Sequence, residues 1–212
     1  MTNTSESRVE KAQEIIDAIW CENISDFSKL IGSEEDANFL LDEEQERSVL
    51  SECCRMNLAS FVDHLLLMNA NATAVDVSGN TALHIAAYCS DFKIIEKLID
   101  RTPKSVDVPN AIGQTPLMLA AKRCAPDVVG LLIGSGADLN ATDLHGNTAL
   151  HWSLTERHSL DDFLLTFGKL YRGASDLDLV NADGNSVLDY LKIAKTRWNE
   201  YEFPTLGKGQ FH

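Results

Sequence analysis

The sequence predicts an all-α repeat solenoid built from helix-turn-helix units, and three observations carry that prediction. Residues 79–88, GNTALHIAAY, recur with substitutions as GQTPLMLAAK from Gly113, GNTALHWSLT from Gly146 and GNSVLDYLKI from Gly184. The leading glycines are 34, 33 and 38 residues apart, a spacing at which each unit is one supersecondary piece that buries its faces on its neighbours. Behind the first copy, Ile94-Ile95 and Leu98-Ile99 keep helical spacing, so each unit reads as two helices.

Composition bounds the rest. The 212 residues are 44% hydrophobic and 24% charged, an ordinary globular balance, and one continuous array is expected. No run of about 18 apolar residues occurs, and MTNTSESRVEKAQ leads into no apolar signal core, so the chain reads as cytoplasmic with no membrane partner. Five cysteines without a C-x-x-C pair fit a reducing compartment, and Cys53-Cys54 falls inside an apolar helical pattern as small core residues. A net charge of −14 argues against nucleic acid, which needs clustered Lys and Arg. The excess is uneven: residues 1–50 hold 13 acidic and four basic side chains, a net −9.

Taken in order, residues 1–10 are rich in Ser, Thr and Glu with little to bury, and are expected to be disordered. Ile15, Ile16, Ala18 and Ile19 form one stripe and Phe27, Leu30 and Ile31 another, predicting two short helices broken at Cys21-Glu22-Asn23. This is a degenerate first unit whose outward face has nothing to stack on it, and the acidic segment 34–46 replaces the usual connection. In the second unit Ser48, Val49 and Leu50 fall where Thr81, Ala82 and Leu83 fall in the third, and Asn69 takes the place of Gly136 at a turn expected to need positive φ. Thr81, Thr115 and Thr148 are helix N-caps, with Pro116 in the first turn where its missing N–H costs nothing.

The fifth unit is longer, since Gly173 follows His151 by 22 positions where Gly136 follows Met118 by 18. Leu160, Phe163, Leu164, Phe167, Leu170 and Tyr171 keep helical spacing through the added length, predicting a longer second helix. A closing helix carries Val187, Leu188, Tyr190 and Leu191. The tail, with Tyr201, Phe203 and Phe211, is expected to fold back on the last repeat or to serve as a short linear motif.

Gly113-Gln114-Thr115-Pro116-Leu117, Val128-Val129-Gly130-Leu131-Leu132 and Gly136-Ala137-Asp138-Leu139-Asn140-Ala141 together resemble one nearly complete unit of the ankyrin-repeat family. The resemblance covers residues 11–198 and implies an ankyrin stack of helix-turn-helix units joined by β-hairpin loops. Its units are 11–45 as N-terminal cap, 46–78, 79–112, 113–145, 146–183 and 184–198 as C-terminal cap, with 199–212 as a tail. It also implies that His84 and His151 brace loops by hydrogen bonds, with Met118 and Asp189 in the equivalent places. A metal is not expected there, because stacked helices stand about 10 Å apart whereas zinc ligands lie about 2 Å from the ion. No catalytic motif is present, and neither an enzyme activity nor a cofactor is expected.

In this family the hairpin tips and the exposed ends of first helices usually bind partners. Transferred by alignment, the tips are Val77, Ser78 and Asn80; Ala111, Ile112 and Gln114; and Leu144, His145 and Asn147. The helix column contributes Trp20, Arg55, Met56, Tyr88, Lys122 and Arg123. Val77, Ile112 and Leu144 are read as equivalent tip positions forming an exposed apolar row beside a basic and aromatic column, the residue types that interfaces favour. The expected function is a monomeric, non-catalytic module, a scaffold or adaptor that binds a folded protein partner. The alternatives are an inhibitor that sequesters a transcription factor or shields an enzyme, with the acidic segment 34–46 covering a basic surface, or a bacterial effector acting in a host cytosol.

Overall fold

The computed structural model describes residues 3–156, 159–173, 177 and 179–197, and divides between Ser105 and Val106 into two compact units. The N-terminal unit contains α1 (Asn3–Trp20), α2 (Ile24–Leu30), α3 (Glu34–Ala37), β1 (Leu40–Asp42), β2 (Arg47–Ser48), α4 (Val49–Arg55), α5 (Ala59–Leu67), α6 (Ala82–Cys89) and α7 (Phe92–Arg101), closed by a 3-10 turn at Pro103–Ser105. The C-terminal unit contains α8 (Pro116–Lys122), α9 (Pro126–Gly134), α10 (Ala149–Ser153), α11 (Leu160–Gly173) and α12 (Val187–Arg197).

In the N-terminal unit first helices pack on first helices and second on second, α4 on α6 and α5 on α7, with α2 against α5. The facing residues are small or branched: Cys53, Cys54, Ala86 and Ala87 are fully buried between first helices, and Val62, Leu65, Ile94, Ile95 and Leu98 between second helices. Burying one such aliphatic side chain contributes about 1.5–3 kcal/mol, so these rows hold the unit together. Phe27 of α2 meets Phe61 of α5 with ring centroids 4.6 Å apart and planes tilted by 54°, joining the cap to the repeats.

The C-terminal unit repeats the scheme, with α8 on α10 and α9 on α11. As the added length predicts, α11 is the longer second helix, 14 residues against nine in α9, and it buries Phe163, Thr166, Phe167 and Leu170 along one stripe. The partner helix α10 has only five residues. On α12, Val187 and Leu191 are buried while Leu188 and Ile193 face outward. The aromatic tail lies outside the described residues.

The predicted threonine caps close at Thr81 and Thr148 but not at Thr115. Thr81 and Thr148 each close a capping box in which the Thr N–H donates to the imidazole Nδ1 of His84 or His151, three residues on, at 3.2 Å in both cases. Ser186 and Asp189 build the same box with a carboxylate. Met118 has no polar atom to offer, and the buried hydroxyl of Thr115 has no partner. Asn69 has φ 59°, as its alignment with Gly136 predicts.

Two elements differ from expectation. The first helix is 18 residues long and takes in residues 3–10, which composition alone had left unstructured. Its polar start is held from outside: Arg8 pairs with Glu43 at 3.0 Å, Lys11 pairs with Asp36, and both cations lie over the Phe39 ring. The acidic segment is correspondingly ordered, as α3 and a short antiparallel hairpin that pairs Leu40 with Ser48 and Asp42 with Arg47. Elsewhere among the described residues the hairpins shrink to tight turns and a single bridge between Val180 and Ser186.

Candidate functional site

Each tip is built around one Asp or Asn that sequence reading passed over. Asp76, Asn110, Asp143 and Asn181 stand three residues before the turn glycines. Through Oδ1 each accepts the backbone N–H of the residues two and four places on, at 2.8–3.1 Å. Each carbonyl also accepts the N–H of its glycine, which has positive φ. Such Asx turns satisfy the loop's own donors internally, so the two residues after the Asx group point outward on a rigid base. The signal was present in the sequence as Asp or Asn at a fixed offset before every repeat glycine.

This frame corrects the register of the apolar row. Val77 and Leu144 occupy the first place after the Asx residue, with Ala111, whereas Ile112 occupies the second, with Ser78 and His145. The three are exposed, at 57%, 48% and 74% for Val77, Ile112 and Leu144, but they are not equivalent positions. In the C-terminal unit Ile112 and Leu144 are nevertheless adjacent, because the Leu144 N–H donates to the Ile112 carbonyl at 3.1 Å. Ala182 donates to the His145 carbonyl in the same way at 2.8 Å, so three successive loops are tied edge to edge.

The fourth place in each loop faces inward, which removes Gln114 from the exposed tips. Gln114 is buried, and its Oε1 accepts from the Asn110 side chain at 3.3 Å. Asn80 and Asn147, half-buried, donate to Asp76 and Asp143 in the equivalent bonds. These three side chains brace the turns.

On the helix ends of the N-terminal unit, Trp20 and Tyr88 are exposed at 64% and 44%, beside exposed Arg55 and half-buried Met56. Arg55 forks onto Glu52, a carboxylate that is itself buried and also lies 3.8 Å from Arg47. In the C-terminal unit Lys122 and Arg123 both reach Glu156, at 3.5 and 3.7 Å, and Lys122 sits 5.1 Å above the Trp152 ring. The Trp152 indole in turn donates to Asp143 at 3.0 Å, linking helix column to loop. The column is aromatic as expected, but its cations carry counterions on their own chain, so it is no free basic strip.

His84, His151 and the three buried thiols are structural. Burial holds the His151 imidazole below its ordinary pKa against the pull of the Asn185 and Leu179 backbone and the Asp143 charge. Burial pushes the Cys53 and Cys54 thiols far up and the Cys124 thiol to about 12, so none is a thiolate near neutral pH. Among the described residues no three His, Cys, Asp or Glu side chains are placed to hold a metal ion, and no helix is long and apolar enough to cross a membrane.

Helix pairs stacked like on like, a Thr-capped first helix and Asx-locked tips define a helical-repeat binding scaffold. The chain belongs to the ankyrin-repeat family: the family model described as ankyrin repeats (3 copies) matches residues 15–110 and again 93–168. It is 35% identical over 122 residues to the B-cell lymphoma 3 protein homolog of Mus musculus, covering 56% of this chain and 27% of that protein. It is 36% identical over 99 residues to the neurogenic locus notch homolog protein 2 of Homo sapiens, covering 47% and 4%. With the nuclear factor NF-kappa-B p105 subunit of Gallus gallus it shares 30% identity over 138 residues, covering 62% and 14%. The chain thus spans a small part of each of these relatives. Ankyrin repeats are protein-interaction modules, and the family is generally non-catalytic.

Proposed function

We propose that the chain is a non-catalytic binding module that holds a folded protein partner on its hairpin tips and the adjoining helix ends. The observation that carries this is the Ile112 and Leu144 pair: two large apolar side chains, exposed on neighbouring loops whose backbones are bonded to each other and locked by Asx turns. Exposed apolar groups on a rigid base give contact area with little ordering cost on binding, which is where affinity is gained. The partner surface that fits is an apolar ridge flanked by groups able to share the Lys122, Arg123 and Glu156 pairs. The chain acts in the cytoplasm as a monomer in this reading.

A regulatory use of the same face is supported by the relative named as a nuclear factor subunit: the partner is then a transcription factor, and docking sequesters it. The segment 34–46 is the weaker candidate for such a role, because Asp36, Asp42 and Glu43 are already engaged by Lys11, Arg47 and Arg8.

The test compares the intact protein with Ile112→Glu/Leu144→Glu in affinity capture from cytosol, with thermal unfolding of both. A protein retained by the intact form and lost from the variant, at equal unfolding temperature, identifies the partner. Equal retention by both forms places binding elsewhere and ends this reading.

A further inference from the structure

The outward side of the cap carries a groove that the tip surface does not explain. In a repeat stack each helix pair receives another on both faces. The pair α1 and α2 receives the rest of its unit through buried Ile15, Ile19 and Phe27, and among the described residues nothing covers its other side. There the helices leave a groove of about 420 Å³. Buried Ala18 and half-buried Leu30 lie at its base, and exposed Glu14, Asp17, Asp26 and Lys29 at its edges. On α1 these residues follow an i, i+3, i+4 rule, so they form one helix face.

We propose that this groove docks an arginine-bearing amphipathic helix of a partner protein. Shape argues for a helix, since the groove runs between two helices where a preceding repeat would otherwise stack, and the small Ala18 side chain permits close approach. Charge argues for a basic one. The only cation lining it, Lys29, is already on Asp26 at 2.7 Å, Glu14 bonds to nothing among the described residues, and Asp17 is met only by the neutral Gln13 amide. Arginine fits better than lysine because Trp20, 64% exposed, stands three positions after Asp17 and so beside it on the helix surface. A guanidinium can fork onto the carboxylate while stacking on the indole. The partner's apolar side then covers Ala18 and Leu30. This site is independent of the Ile112 and Leu144 tips.

The test uses a dye-labelled amphipathic peptide of Arg, Leu and Ala, about 16 residues long so that its helix is near stable, and its Arg→Glu counterpart. Fluorescence anisotropy at about 0.15 M salt, where the Debye length is about 8 Å, should show saturable binding of the first and none of the second. Glu14→Gln/Asp17→Asn should weaken it about tenfold, and Trp20→Ala by a similar factor. Glu96→Gln/Asp100→Asn, the same charge change on exposed α7 positions, should leave it within roughly twofold, since surface charges beyond a Debye length are screened. Ile112→Glu/Leu144→Glu should bind as the intact protein does. Absence of binding, equal losses from the two acid pairs, or an indifferent Trp20→Ala would each overturn the proposal, the last two by showing diffuse attraction to an acidic protein.

Discussion

The amide of Leu144 donates to the carbonyl of Ile112 across 3.1 Å, and that bond decides how the two most useful apolar side chains of the C-terminal unit are presented. It requires the two loops to approach so closely that a Cβ built on Gly113 would meet the Leu144 nitrogen at 2.8 Å.

Gly113→Ala is therefore expected to cost about 1–3 kcal/mol, combining this clash with strain at φ +81°. Gly136→Asn should cost less than about 1 kcal/mol, because nothing lies within 4 Å of a Cβ there and Asn69 fills the equivalent place. Urea unfolding of both variants checks the order, and equal costs would contradict the close approach.

Asp143 accepts from the amides of His145 and Asn147, the Asn147 side chain and the Trp152 indole. Asp143→Ala leaves these donors unmet and should destabilise by about 1–3 kcal/mol or more. Asp143→Asn should cost less, since Asn serves the same loop role at positions 110 and 181, but it sets an amide N–H against the indole N–H. A shift in Trp152 fluorescence in the Asn variant without loss of fold is the expected signature; an Ala variant as stable as the intact protein would contradict the loop account.

Threonine caps are predicted to be unequal. Thr148→Val removes the hydroxyl that meets His151 and should cost about 0.5–2 kcal/mol. Thr115→Val removes a hydroxyl that has no partner and should fall within roughly 0.5 kcal/mol of the parent. Denaturant midpoints that rank them the other way would refute the difference drawn between the His and Met boxes.

His151 should titrate below 6.5, its ordinary value, because burial of the ring outweighs the Asn185 and Leu179 backbone and the Asp143 charge that favour its proton. With the folded pKa below the unfolded one, the unfolded chain takes the proton first as pH falls. Stability from neutral His151 is complete above pH 6.5 and is lost as pH falls from there through the folded pKa. An NMR titration of its ring protons reads this directly, and a midpoint at or above 6.5 would be incompatible with it.

Thiol labelling under native conditions should reach exposed Cys21 first, with Cys53, Cys54 and Cys124 modified only on unfolding. Mass spectrometry over time separates the two classes. Rapid labelling of Cys124 would show that its site opens.

Much of this was legible along the chain. The repeat period shows as self-similarity along the chain, and the Thr81 and Thr148 caps, the positive φ at Asn69, the core place of Cys53-Cys54 and the longer helix in the fifth unit each depend on residues within a few positions of one another. The candidate surface was read less well. Grouping by apolar character put Ile112 in one row with Val77 and Leu144 although it stands one place nearer its turn glycine than they do, and Gln114 was counted as exposed. The Asx residue that sets which side chains point out acts through hydrogen bonds, which a hydrophobic pattern does not reveal.

By itself, then, the sequence determined the ankyrin units and their local backbone, because helix periodicity, capping and left-handed turns are steric and hydrogen-bonding matters settled over a handful of residues. Only the tertiary structure decided the rest. It extended α1 through Arg8 and Lys11, folded the acidic segment against them, paired Arg55 with Glu52 and both Lys122 and Arg123 with the one carboxylate of Glu156, and joined Ile112 to Leu144. Apart from the Arg55–Glu52 pair, each of these depends on groups 25 to 35 residues apart in the chain, brought together by packing and by the cost of leaving a charge or a backbone donor unmet.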